Sequence, residues 1–134
     1  MQLQIFLDNS SPEDLRSYAL QYLEGDGDNK KLKERIESTK CRSIELINFP
    51  LKDLKRIIGP DPKLAYFEEE EMWETRVEKL VTAIKDGYEP LPLFATNFWG
   101  RETALADGNH RHEALLRSGY DTYWVVFFTE QQKF

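Results

Sequence analysis

The sequence predicts one mixed α/β domain, a compact small mixed sheet flanked by helices. Three observations predict it. Short apolar runs of strand length alternate with segments of helical period. Glycine and proline clusters separate those segments. The 134 residues, 40% hydrophobic and 31% charged, suffice for one buried core without disulfide or metal staples.

Each element has its own signal. Gln2–Leu7 (QLQIFL) reads as a short strand. Ser11-Pro12-Glu13-Asp14 then opens a helix: a capping hydroxyl, a proline suited to the first helical position, and two acids for the positive end of the dipole. Leu15, Tyr18, Ala19, Tyr22 and Leu23 follow at helical spacing. Gly25-Asp26-Gly27-Asp28-Asn29 ends that helix as a loop. A calcium reading fails, because the fifth ligand position would be Lys30 and no ligand-spaced glycine and glutamate follow. Lys30–Ser38 is expected as a second helix, with Leu32, Ile36 and the stem of Arg35 inward. Ser43–Phe49 is expected as a strand, and residues 50–56 as a turn or short helix. Gly59-Pro60-Asp61-Pro62 breaks the chain. The longest helix is expected near Glu69–Asp86, with Trp73, Val77, Leu80, Val81 and Ile84 on one face and Gly87 as its stop. The acids Glu68 to Glu71 fit its first turn and point around the helix rather than toward one ion. Leu91–Thr96 is expected as a strand, Asn97–Gly100 as a turn and Arg101–Ala106 as the returning strand. A helix continuing through His112–Ser118 and an apolar strand Thr122–Phe128, buried on both faces, complete the chain.

Composition excludes several classes. No apolar run approaches the roughly 20 residues that span a bilayer. The N-terminus meets acids at once and has no basic region, so no signal peptide is expected. Cys41 is the single cysteine and cannot form an internal disulfide, which favours a reducing, cytoplasmic setting. The net charge of −6 opposes non-specific binding to nucleic-acid phosphates. The charge is uneven, however: residues 30–56 carry nine basic and four acidic groups, while residues 61–90 carry four and nine.

The chemistry concentrates in Asp107-Gly108-Asn109-His110-Arg111, where a strand runs directly into a helix. Glycine permits a sharp turn and close ligand approach. The N–H groups of Asn109, His110 and Arg111 fall in the first helical turn, lack intrahelical acceptors and sit at the positive end of the dipole. Arg111 offers a bidentate fork to phosphate, and His110 can donate a hydrogen bond or move a proton. Asp107 can orient His110 or Arg111, hold magnesium or act as a base. Plainer roles stay open: Asp107 as a cap, Asn109 as a turn residue, Arg111 as a surface partner of Glu113 or Asp107.

Ordered motifs around that turn resemble the ParB/sulfiredoxin superfamily. They run through residues 43–128: Phe49-Pro50-Leu51-Lys52-Asp53-Leu54-Lys55-Arg56, the helix Thr75–Ile84, Pro90-Leu91-Pro92-Leu93, the signature Asp107–Leu115 and the strand Tyr123–Val126. The resemblance implies a division into an N-terminal strand-helix-helix extension, residues 1–42, packed on a ParB/sulfiredoxin-like domain, residues 43–134. It implies that Gly108, Asn109, His110 and Arg111 hold nucleotide phosphates, with Arg56 and Arg76 adding positive charge. The departures are specific. Asn109 stands where sulfiredoxins carry their reactive cysteine, and Cys41 lies outside the matched stretch and reads as an ordinary thiol, so sulfinic-acid reduction is not expected. The helix-turn-helix domain that follows this module in ParB proteins is expected to be absent. The turn differs from the Asp-Gly-His-His-Arg type of the free-serine kinases only at Asn109, but those enzymes need a separate glutamate, for which Glu45 and Glu68 are the candidates.

The resulting expectation is a nucleotide-binding domain taking ATP, ADP or another nucleotide, with Mg2+. Phosphotransferase or hydrolase chemistry would place Asp107 and His110 as catalytic residues and Asp107 as metal ligand. The alternatives are a non-catalytic module that binds a nucleotide or anion and recruits a protein, and a ParB-like nuclease. The acidic charge opposes the last.

Overall fold

The structure is a computed structural model, and it describes residues 2–38, 41–97 and 103–130. Three helices come first: α1 (Leu3–Asp8), α2 (Pro12–Glu24) and α3 (Lys30–Ser38). The strand β1 (Cys41–Pro50) leads through a single 3-10 turn at Leu51–Asp53 into three two-residue strands: β2 (Lys55–Arg56), β3 (Ile58–Gly59) and β4 (Tyr66–Phe67). Then follow α4 (Glu70–Lys85), β5 (Leu93–Asn97), β6 (Ala104–Asp107), α5 (Asn109–Arg117) and β7 (Thr122–Glu130). The expected turn at 97–100 falls mainly outside the described residues, as do positions 101–102 and the side chain of Cys41.

The main sheet has the order β1-β7-β5-β6-β2 and is mixed. β1 and β7 pair antiparallel, as do β5 and β6, whereas β7 with β5 and β6 with β2 pair parallel. Each parallel pair requires a crossover, and both crossovers carry a helix. β3 and β4 form a separate parallel ribbon.

Alternation along the central strands sends side chains to two cores. Phe94, Val126 and Phe128 join Ile44 beneath the N-terminal helices, where Phe6, Leu15, Ala19, Leu23, Leu32 and Ile36 meet them. Leu93, Ala95 and Val125 face the other way, toward Leu105, Leu115, Leu51 and Leu54. Beyond them α4 packs on α5 through Trp73, Val77, Val81 and Ala114. β7 therefore has buried residues on both faces, which its unbroken apolar run required.

The helix signals hold. Ser11 Oγ accepts from the Asp14 N–H (3.3 Å), with Pro12 in the first position. Asn29 caps α3, and Gly87 ends α4 at φ +100°. Two readings need correction. Gln2–Leu7 is not a strand but the helix α1: Leu3, Phe6 and Leu7 sit at i, i+3 and i+4 and reach core clusters. Six residues satisfy both periods, so only tertiary contact separates them. Arg35 is exposed overall, and only part of it turns inward, to line a cavity with Leu32 and Ile57.

Candidate functional site

Gly108 makes the turn possible. Its φ of +94° lies in the left-handed region, and a Cβ there would meet Arg111 Nη2 and Leu93 Cδ2, each at 2.8 Å. It is the N-cap of α5, and its carbonyl accepts the first helical bond from the His112 N–H (2.8 Å). The N–H groups of Asn109, His110 and Arg111 find no acceptor among the described residues. Asp107 does not cap the helix; its Oδ1 accepts from the Gly108 N–H (2.9 Å).

Asn109 is a fastener. Its Oδ1 accepts from the N–H groups of both Ile57 (2.9 Å) and Ile58 (3.2 Å), and its Nδ2 donates to the Leu105 carbonyl (3.3 Å). These bonds tie α5 to the chain after β2, and Asn109 is 2% exposed. His112 does similar work: it is buried, and its Nε2 lies 2.7 Å from the Leu51 carbonyl. Burial holds its pKa below the usual histidine value, against the pull of that bond.

A polar cluster lies where the turn meets the start of α4. His110 Nε2 is 3.0 Å from Glu68 Oε1, and Arg76 Nη1 donates to Glu68 Oε2 (3.3 Å). The Trp73 ring lies 4.7 Å from that of His110, and the Arg56 guanidinium carbon is 5.5 Å from the Trp73 centroid. Arg56 also donates to Glu113 Oε2 (2.7 Å). Burial raises the Glu113 pKa, but the bond and charge of Arg56 outweigh it, and the balance is below the usual carboxylate value. Arg117 then links Glu113 to Glu74 and Glu78.

Arg111 and Asp107 turn the other way, toward α2. Arg111 is 8% exposed; its Nη1 donates to the Leu91 carbonyl (3.3 Å) and its guanidinium carbon lies 5.4 Å from the Tyr22 ring centre. Arg111 Nη2 and Asp107 Oδ2 are both buried with no hydrogen-bond partner among the described residues. Burial raises the Asp107 pKa, and the neighbouring Arg111 charge only partly offsets it.

The structure thus gathers His110, Arg56 and Arg76 but separates them from the side chains of Arg111, Asp107 and Asn109. Of the two glutamate candidates, Glu68 joins the cluster, while Glu45 is exposed on β1 opposite Phe127. The sequence reading missed Trp73 and Glu113 as site residues. Trp73 occupies a core-facing helical position, and nothing in its spacing distinguishes a ring that also floors a site. Among the described residues no three metal-ligating side chains converge.

No family model matches this sequence, and no curated protein matches it. Solved structures do. The chain is similar to a sulfiredoxin from Arabidopsis thaliana, at 20% identity and a TM-score of 0.42, covering 61% of this chain and 82% of that one. It is similar to a C-terminally truncated SbnI from Staphylococcus aureus, at 20% identity and a TM-score of 0.45, covering 66% of this chain and 31% of that one. It is also similar to a C-terminally truncated chromosome-partitioning protein ParB from Caulobacter crescentus complexed with CTP-gamma-S, at 21% identity and a TM-score of 0.45. That match covers 65% of this chain and 46% of the ParB chain, so the likeness spans less than half of either bacterial structure. Each likeness is partial, and the fold of this chain stands on its own mixed five-stranded sheet and flanking helices.

Proposed function

We propose that this chain binds a nucleotide through its phosphates at the start of α5. One observation carries the reading: His110 and Arg56 flank Trp73 and Arg76 meets His110 on Glu68, beside a left-handed glycine turn whose next three N–H groups find no acceptor among the described residues. Backbone donors, a helix dipole and arginine forks are what a polyphosphate requires. Trp73 offers an apolar floor. Gly108 lets the chain approach closely, and Asn109 holds the turn in shape rather than touching ligand. Arg111 fixes the turn from below.

These side chains are already engaged. Glu68 holds His110 and Arg76, and Glu113 holds Arg56. An incoming phosphate competes with Glu68 and releases it. In the enzymatic form of the proposal, a hydroxyl or water oxygen attacks the terminal phosphorus and gives its proton to the freed Glu68, while the bond to the bridging oxygen breaks and the shortened nucleotide leaves with its new negative charge met by a hydrogen bond from His110. Asp107 does not fit as a magnesium ligand or base, because its free oxygen is buried beside Arg111. No step is therefore routed through a metal. In the alternative, a non-catalytic module, release of Glu68 is the whole event and signals occupancy to a protein partner.

Calorimetry with ATP, ADP, CTP and GTP, each with and without magnesium, tests the proposal. Micromolar binding of at least one is expected, weakened about tenfold or more in His110→Ala and Arg56→Ala, as loss of a charged hydrogen bond predicts. Absence of heat with all four rejects it. Glu68→Gln separates the two forms: tighter binding is expected in both, and loss of turnover only if the chain is an enzyme.

A further inference from the structure

We propose that the cavity between the first turn of α3 and the β3–β4 ribbon is a second ligand site, for a small organic carboxylate with a flat or branched apolar body. The cavity measures about 230 Å3. Leu32, Ile57, Ile58 and Ala106 line it together with Tyr66, Asn29 and the two cations Lys31 and Arg35. Such a lining binds an apolar body and leaves one charged end to be matched.

The charge pattern of α3 identifies that end. The helix opens with Lys30-Lys31 and has no acid in its first turn. Two cations at the positive end of a helix dipole are unfavourable. An anion seated beside Lys31 reverses the sign of that interaction, and the same helix end supplies attraction. The end is held in place: Asn29 Oδ1 accepts from the Leu32 N–H (3.2 Å), and Asn29 Nδ2 donates to the Ala106 carbonyl (3.5 Å), one residue before Asp107.

The cavity also shares a wall with the candidate nucleotide site. Ile57 and Ile58 line it while their N–H groups bond to Asn109. Ile58 also packs against the cluster that contains Trp73. A ligand here therefore lies one side-chain layer from the glycine turn. The inference goes beyond nucleotide binding and stands without it.

The test uses the full chain with labelled leucine and isoleucine methyl groups, and three probes: phenylacetate, benzylamine and inorganic phosphate. Saturable shifts at Leu32, Ile57 and Ile58 are expected with phenylacetate, and none with the other two. Lys31→Glu is expected to bind phenylacetate about fivefold more weakly, the scale of an exposed charge contact reversed. The same variant places an acid in the first turn, so its ligand-free melting temperature is expected to rise slightly. A purely structural Lys31 would not weaken the ligand. Absent or unsaturable shifts, an equal response to benzylamine or phosphate, or unchanged affinity in folded Lys31→Glu each overturn the proposal. Failure of nucleotide binding would show instead in the nucleotide calorimetry, which leaves the phenylacetate shifts untouched.

Discussion

Asn109 carries more of the structure than its exposed-looking motif suggests. It satisfies two backbone donors and one acceptor inside the protein. Asn109→Ala leaves the Ile57 and Ile58 N–H groups without a partner and is expected to cost about 2–4 kcal/mol in a denaturant titration, at 1–3 kcal/mol per unmet buried group. Gly108→Ala forces a methyl group into a left-handed position already within 2.8 Å of two side chains, and a loss of about 2 kcal/mol or more should appear in the same titration. Two titrating groups give pH signatures of opposite sign. Burial holds the His112 pKa below that of the unfolded chain, so the unfolded chain takes up the proton first as pH falls. Stability is therefore expected to fall as pH drops below about 6.5, the unfolded value, toward the lower folded value. His112→Gln should flatten that slope in melting curves recorded across the range, because a glutamine amide does not titrate. The Asp107 pKa is raised, so the folded state favours the protonated carboxyl, and that stability is lost as pH rises through the folded pKa. Asp107→Asn is accordingly expected to melt higher than the native chain at pH 7. The motif's backbone role was legible in sequence, since Asp-Gly before a helix fixes a turn. The directions of its side chains were not. Whether Arg111 points to solvent or to Tyr22 depends on α2, about 90 residues earlier, with which it shares no local pattern.

At the scale of elements, the boundaries that sequence fixed best are those with a chemical stop. Ser11-Pro12 and Gly87 each mark an end that the backbone obeys, whereas Asn29, read only as loop, proves to cap α3. α1 shows the limit: six residues carry less than two helical turns, and strand and helix patterns coincide. The pairing of α4 with α5 was equally invisible, because it joins two faces through Trp73, Val77, Val81 and Ala114. Trp73→Ala is expected to cost about 3–5 kcal/mol, as large aromatic truncations do. It should also remove any nucleotide-dependent fluorescence change, which calorimetry on the same variant would set against loss of binding. The surface link from Arg117 to Glu74 and Glu78 is exposed, and Arg117→Ala should lower stability by less than about 1 kcal/mol.

At the scale of the whole molecule, the sheet is a partition with a core on each side. α1–α3 cover Phe94, Val126 and Phe128, while α4 and α5 take the face toward Leu93, Ala95 and Val125. Removal of residues 2–38 would uncover one entire face. The shortened chain is expected to bind hydrophobic dyes and lose cooperative unfolding, as calorimetry and dye fluorescence would show. The sheet order also sets a schedule for synthesis. β1 pairs with β7, so Ile44 awaits Phe128, and Phe6 and Leu15 await Val126. The helices made first meet only each other and Ile44 until Phe94 of β5 and then Val126 and Phe128 of β7 arrive. The nascent chain therefore carries part of this apolar face uncovered until β7 is made, and late-committing folding is the expected consequence.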